Sequence, residues 1–235
     1  MGFVLKKYAI IVAGGTGQRM KSAVPKQFLL LQGKPILFHT LLQFKKAFAE
    51  IELILVLPRD QFSTWQLLCQ EYPEIIQACP HHLVEGGATR FHSSQQGILA
   101  IPVEKQALVA IHDGVRPLVS VDSIRHAYQS AEEYGNAVLA VSSKDSIRQW
   151  DTNENVYLPL DRTHIKIIQT PQIFEISILK RAFQQEYQDF FTDDASVVEV
   201  LGIDIHLVEG NYSNIKITTP EDMLIAEALT QNAST

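Results

Sequence analysis

The chain has 235 residues, 46% hydrophobic and 20% charged, with a net charge of −6 and two cysteines. That length supports one sizeable core, the acidic balance excludes broad, sequence-independent binding to nucleic acid, and no apolar run approaches the ~20 residues of a membrane helix. Residues 1–8 lack the apolar stretch of a signal peptide, and Cys69 and Cys79 fit neither a disulfide framework nor a metal spacing. A reducing, cytoplasmic setting is expected. An acidic protein can still hold a polyanion where a few Lys and Arg converge.

In chain order, 8–12 is an apolar run ending in glycines, as a buried parallel strand does. Apolar residues at helical spacing predict a helix over 35–48, with Pro35 in its first turn. Strand 53–57, stopped by Pro58, is followed by helix 60–72, and 82–85 reads as a short third strand. Helix 89–100, strand 107–112, helix 121–134 and strand 137–141 continue the alternation. This rhythm predicts right-handed crossovers and an α/β fold: a single Rossmann-like domain with a mostly parallel sheet covered by helices on both faces. Ligands in such sheets sit beyond the carboxyl ends of the strands, so the loops after Val12, Leu57, Glu85, His112 and Val141 are expected to line the site.

The rhythm breaks over 142–168, a polar excursion with an Asx-rich turn at 151–155 and a weakly alternating hairpin pattern. Excursions of this length are usually functional. Helices at 176–187 and 195–201, a strand at 205–208 and a helix at 220–230 complete the chain. The His81-His82 and Lys45-Lys46 pairs read as solvated surface.

After the first strand comes Ala13-Gly-Gly-Thr-Gly-Gln-Arg-Met20, followed by Pro25-Lys-Gln-Phe28. Glycines let backbone N–H groups approach phosphate oxygens. A dinucleotide fingerprint fails at Met20, and a P-loop fails because Lys21-Ser22 follows Met20 rather than Gly. What remains is a glycine turn with Arg19, Lys21 and Lys26 close behind, a candidate phosphate site.

Gly15-x-Gly-x-Arg19-Met and Pro25-Lys-Gln-Phe28 resemble the signature of nucleotidyltransferases acting on sugar and polyol phosphates. Gly86-Gly-x-x-Arg90-x-x-Ser93, His112-Asp-Gly-Val-Arg-Pro117, Gln169-Thr-Pro-Gln-x-Phe174, Thr192-Asp-Asp-Ala-Ser196 and Asn214-Ile-Lys-Ile-Thr218 follow in that order. The ordered set, over about residues 8–230, is similar to the 2-C-methyl-D-erythritol 4-phosphate cytidylyltransferase family of the non-mevalonate isoprenoid pathway. Ribitol 5-phosphate cytidylyltransferase shares most of these motifs and is the alternative. A non-catalytic nucleotide-binding protein of the same fold would not need Arg19, Lys26, Asp113 and Lys216 together.

Cytidylyl transfer sends a phosphate oxygen into the α-phosphorus of CTP and expels pyrophosphate. The nucleophile is already anionic, so alignment and charge neutralisation are needed rather than a general base. The resemblance assigns Arg19 and Lys26 to the triphosphate and Lys216 to the α-phosphate, with both lysines expected to be exposed in the site. It implies nucleotide contacts from Ala13, Gly14, Gly15, Thr16 and Gly17, and places the cytosine edge against Gly87, Ala88 and the hydroxyl of Ser93. Many relatives carry a charged residue where Ala88 stands. Asp113, ending a strand, is the candidate ligand for Mg²⁺ or another divalent cation, with a helix cap or a salt bridge to Arg116 as the structural alternative. Arg116, Ser146, Arg162, Thr170 and Thr192, with Asp113, are implied on the side of the small sugar-alcohol phosphate. Ser146 stands where the family usually has threonine, and His112 is expected to be an oriented core histidine. Thr192-Asp193-Asp194 also reads as a helix-capping sequence. The resemblance further implies one nucleotidyltransferase domain over 1–235 with a dimerisation arm at about 142–168, and hence a homodimer with each site completed in trans.

Overall fold

The computed structural model describes residues 5–15, 20, 24–102 and 106–232. In chain order the elements are β1 (Lys6–Val12), a two-rung ladder of β2 (Leu30–Leu31) and β3 (Lys34–Pro35), α1 (Ile36–Ala47), β4 (Glu52–Leu57), α2 (Phe62–Glu71), α3 (Pro73–Ala78), β5 (His81–Glu85), α4 (Arg90–Leu99), β6 (Ala107–Asp113) and α5 (Val121–Tyr134). They continue with β7 (Asn136–Ser142), β8 (Ile147–Asp151), β9 (Val156–Leu160), β10 (Lys166–Glu175), α6 (Ile176–Ala182), α7 (Asp194–Glu199), β11 (Leu207–Glu209) and α8 (Pro220–Asn232).

Among the described residues, seven strands form one sheet in the order β11-β7-β10-β6-β1-β4-β5. Every pairing is parallel except those of β10, which runs antiparallel to both β6 and β7. The period-2 alternation of β1 explains the layering. Ala9 and Ile11 join a core with Phe38, Leu41 and Phe44 of α1, Trp65 of α2 and Tyr128 of α5. Tyr8, Ile10 and Val12 join the opposite core, with Phe91 and Ile98 of α4, Leu179 of α6 and Val198 of α7. Helices therefore cover both faces, which is why the central strands are apolar throughout rather than alternating. A third cluster of Met20, Leu31, Ile36, Val115, Ile217 and Ala226 seats α8 beside the loop after β6.

β10 was not foreseen. The run KIIQTPQIFE carries glutamines and Pro171, and its register against β7 shifts between Ile168 and Gln172, so no sustained alternation marks it. Residues 166–168, expected in the excursion, belong to this strand, and the helix expected over 176–187 ends at Ala182. α3 and the β2–β3 ladder were likewise not expected. The excursion itself is a separate two-stranded sheet of β8 and β9, with Ile147 opposite Leu160 and Asp151 opposite Val156. Its turn is the expected Asx type: Asp151 Oδ1 accepts from the N–H groups of Asn153 and Glu154.

His81 and Lys45 are not the solvated residues the sequence suggested. Trp65 Nε1 donates to His81 Nε2 at 3.0 Å while His81 Nδ1 bonds the Cys79 carbonyl at 2.8 Å, and Lys45 Nζ donates to the carbonyls of Ala49 and Ile51. Their neighbours His82 and Lys46 are exposed. Both cysteines are free, with burial raising each thiol to about 11.

Candidate active site

β1 and β6 are adjacent and parallel, with Val12 paired to Asp113 at their carboxyl ends. From β1 the chain proceeds to β4 and β5 on one side, while β6 lies on the other, so the strand order reverses here and a crevice opens beyond these two ends. Two clefts of about 280 Å³ each occupy it.

The first cleft is lined by Ala13, Gly14 and Gly15 after β1, Lys26 and Gln27, the 87–90 loop and Ser93 after β5, Asp113 and Val115 after β6, and Lys216. The glycine loop rests on a buried glutamine: Gln27 Nε2 donates to the Ala13 carbonyl at 2.9 Å and to Gln61 Oε1 at 2.5 Å. The loop after Leu57 thus enters the site only as support, through Gln61. The 86–89 loop is pinned by Ser93, whose Oγ accepts from Gly87 N at 3.2 Å and donates to the Gly87 carbonyl at 3.4 Å. A Cβ on Gly87 would lie 2.3 Å from His92 Cβ, so this close approach requires glycine. Thr89 caps α4, its hydroxyl accepting from His92 N.

The second cleft is lined by Arg116, Ile168, Gln169, Thr170, Gln172, Thr192 and Asp193, and shares Arg90, Asp113 and Lys216 with the first. The shared wall is a charge cluster. Arg90 Nε lies 3.4 Å from Asp113 Oδ1, while Arg116 Nε and Lys216 Nζ each lie 3.1 Å from Asp113 Oδ2. Arg90 Nη2 also meets the buried Asp194 at 2.6 Å. Burial works to raise the Asp113 pKa, but Arg90, Lys216 and Arg116 outweigh it and hold the carboxyl well below its usual range. Counting Lys26 and Asp193 of the flanking clefts, four cations face three carboxylates, a local positive excess in an acidic protein and the convergence expected of a polyanion site. Two of the structural alternatives raised from sequence are present too: Arg116 bridges to Asp113, and Asp193 caps α7.

Backbone contacts explain why Lys216 arrives here. Arg116 Nη1 donates to the Asn214 carbonyl at 2.8 Å and Ile217 N donates to the Val115 carbonyl at 2.9 Å, so residues 214–217 run alongside the loop after β6. Asn214 Nδ2 in turn donates to the Thr170 carbonyl at 2.8 Å. Behind the cluster, His112 is fully buried as expected. Its Nε2 bonds the Arg116 carbonyl at 3.3 Å and its Nδ1 meets Thr170 Oγ1 at 3.0 Å. Burial depresses its pKa to about 3, against the opposing pull of Asp113, so the ring is neutral. A neutral ring with Nε2–H toward the carbonyl accepts the Thr170 hydroxyl proton at Nδ1, and Thr170 Oγ1 itself accepts from Asp113 N at 3.1 Å.

Of the residues singled out from sequence, Ala13, Gly14, Gly15, Lys26, Gly87, Ala88, Ser93, Asp113 and Lys216 line the first cleft, and Arg116, Thr170 and Thr192 the second. Thr16, Gly17 and Arg19 lie outside the described residues. Ser146 and Arg162 are exposed on the arm and line neither cleft, and Arg162 Nη1 donates instead to the Lys144 carbonyl at 2.6 Å. The reason is topological: β10 lies between β7 and β6 and carries the loop after Val141 away from the crevice. Lys26 is buried rather than exposed, in a short 3₁₀ turn whose three residues all face inward. Arg90, Gln172 and Asp194 were not assigned roles from sequence. Arg90 stood inside a quoted motif, but its link to Asp194 spans 104 positions and has no local signal.

The motif order that resembled a known family is matched by direct comparison. The family model of IspD, 2-C-methyl-D-erythritol 4-phosphate cytidylyltransferase, matches residues 7–232. The chain belongs to this family. A 2-C-methyl-D-erythritol 4-phosphate cytidylyltransferase of Bacteroides thetaiotaomicron is 46% identical over 226 residues, covering 96% of this chain and 100% of the relative. One from Bacillus velezensis is 39% identical, over 95% of both chains. Among solved structures, the 4-diphosphocytidyl-2C-methyl-D-erythritol synthase of Anaerococcus prevotii superposes with a TM-score of 0.80 at 28% identity, over 97% of this chain and 99% of the other. As a member of the IspD family the chain is a transferase, and its class is cytidylyltransferase. No helix among the described residues is long and apolar enough to cross a membrane.

Proposed function

We propose that the two clefts hold CTP and 2-C-methyl-D-erythritol 4-phosphate, and that the chain joins CMP to the acceptor phosphate with release of pyrophosphate. The observation that carries this is their shared wall, where Arg90, Asp113 and Lys216 face both spaces. Two substrates that react must meet at one point, and both are polyanions. A phosphate oxygen of the acceptor forms a bond to the α-phosphorus while the bond to the β-phosphate oxygen breaks, and pyrophosphate carries away the electron pair. Lys26 and Lys216 would offset charge at the α-phosphorus and on the leaving group, with Arg19 assigned to the triphosphate on the motif alone. Backbone groups of Gly14, Gly15, Gly87 and Ala88 would take phosphate and cytosine edges, with Ser93 holding the loop that presents them. Arg116 and Thr192 would take the acceptor phosphate. Thr170, its proton committed to His112, offers a lone pair rather than a donor there.

Asp113, the carboxylate on the wall shared by both clefts, would be the protein's ligand for a divalent cation, since Mg²⁺ is commonly held by one or two carboxylates with substrate phosphates and water completing the shell. With Arg90 on one oxygen and Arg116 and Lys216 on the other, the ion would have to displace one of these contacts. Bound there, such an ion would supply charge neutralisation at the phosphates. Ser146 and Arg162 would act in the site of a second copy. The arm that carries them exposes Trp150, Val156, Tyr157 and Leu158, a surface suited to a homodimer. The test is pyrophosphate release from CTP with either methylerythritol phosphate or ribitol 5-phosphate as acceptor. Preference for ribitol phosphate would overturn the acceptor assignment.

A further inference from the structure

Arg90 and Asp194 form a close ion pair, 2.6 Å between Nη2 and Oδ2. Arg90 is the first residue of α4 and Asp194 the first of α7. The guanidinium points two nitrogens in different directions: Nη2 to Asp194, and Nε to Asp113 Oδ1 at 3.4 Å. Asp194 is 1% exposed, and its other oxygen accepts from Ser94 Oγ at 2.8 Å. Ser94 lies four positions beyond Arg90, on the same face of the helix. One buried carboxylate therefore grips α4 at two points. Its own segment is tied to β10, because Gln172 Nε2 donates to Asp193 Oδ2 at 2.8 Å and Ala195 N donates to Gln172 Oε1 at 2.8 Å. The contacts run without a break from the strand that bears Thr170, through 193–195, to Arg90 and then to Asp113, where the two clefts meet.

We propose that Arg90, held by Asp194, is the positioning residue for Asp113, and that it acts through that carboxylate rather than on the nucleotide phosphates. This rests on the cytidylyl-transfer reading above. A planar guanidinium holds two carboxylates in fixed directions, which an ammonium point charge does not. Asp194 takes the shorter contact, which leaves Asp113 a weaker, longer one and keeps its second oxygen with Arg116 and Lys216.

The test combines steady-state kinetics with direct CTP binding by calorimetry for Asp194→Asn and Arg90→Lys. Asparagine keeps an acceptor for Ser94 and removes the charge, while lysine keeps the charge and removes the fork. Each is expected to lower kcat by roughly tenfold or more, the scale of a misplaced reacting group, with CTP affinity within about threefold of the unmodified chain. If Arg90 served the triphosphate directly, Asp194→Asn would release its full charge and tighten CTP binding, and Arg90→Lys would keep its turnover. Either result overturns the proposal. Should Asp194→Asn fail to fold, Ser94→Ala keeps both charges and only loosens Asp194. It is expected to lower kcat by about threefold while staying folded at the assay temperature, with a modestly lower melting temperature from the lost buried hydrogen bond, and an unchanged kcat would count against the proposal equally. Turnover of the unmodified chain in the same assay tests the transfer reading by itself, so a failure there is distinct from a failure of the variants.

Discussion

Acid should destabilise this protein earlier than its carboxylates alone would dictate, through His112. The ring is fully buried, packs edge-on against Phe44 at 5.1 Å, and has both nitrogens engaged. Its folded pKa of about 3 lies below the unfolded value near 6.5. A depressed histidine pKa means that the unfolded chain binds more protons between these values, so stability rises with pH there and is fully present only above the unfolded pKa. Integrating that difference from pH 7.5 down to 4.5 gives a loss of about 2.7 kcal/mol from this one group. Asp113 has its pKa depressed as a carboxylate, so its contribution is lost only below about pH 4 and stays outside the window. His39 and His81, also lowered chiefly by burial, add to the slope in the same direction. Urea unfolding at pH 7.5, 6.0 and 4.5, followed by the fluorescence of buried Trp65, measures the total slope. His112→Asn will be less stable at every pH because it leaves a cavity, so the informative quantity is the slope. It should flatten by roughly 2–3 kcal/mol over the interval. Equal slopes for the two proteins would refute the assignment of a buried neutral ring.

Three further outcomes are expected. Lys216→Ala should lower kcat by about a hundredfold, the scale for losing a donor to transition-state charge, and near-normal turnover would remove it from the mechanism. Gly97 of α4 sits where a Cβ would come within 2.4 Å of Ile10 Cγ2, so Gly97→Ala should cost about 1–3 kcal/mol by overpacking, read as a lower urea midpoint at constant m-value. Mixing inactive Arg162→Ala with inactive Lys216→Ala should restore activity if the arm works in a second copy's site, because a heterodimer then gathers both lesions into one site. Subunits that exchange freely without recovery would confine Arg162 to its own chain.

Legibility from sequence followed locality. α5 has the bounds its pattern indicates, because Ser120 caps its start and Gly135, at φ +78°, provides the left-handed stop. The three parallel loops after β1, β5 and β6 were readable because each carries its chemistry within a few residues of a strand end. β10 was not, since it is antiparallel, interrupted and punctuated by proline, and its place inside the sheet between β7 and β6 is decided by partners rather than by its own pattern. The same physics hid the Arg90–Asp194 pair, whose two halves look like a helix start and a capping sequence until α4 and α7 come together.

The position of the arm has a consequence for how such a chain can change over evolutionary time. Ser142 and Lys166 face each other across the β7–β10 ladder, and Ser143 N reaches the Ile165 carbonyl at 3.4 Å. The polypeptide thus leaves the body and re-enters it at one point, and the intervening stretch is an insert grafted onto the tip of a hairpin. Its length and surface can drift, shrink or acquire new partners while the two strands beneath stay in register. On the reading that this arm meets a second copy, quaternary structure would be a trait carried by one contiguous stretch of chain.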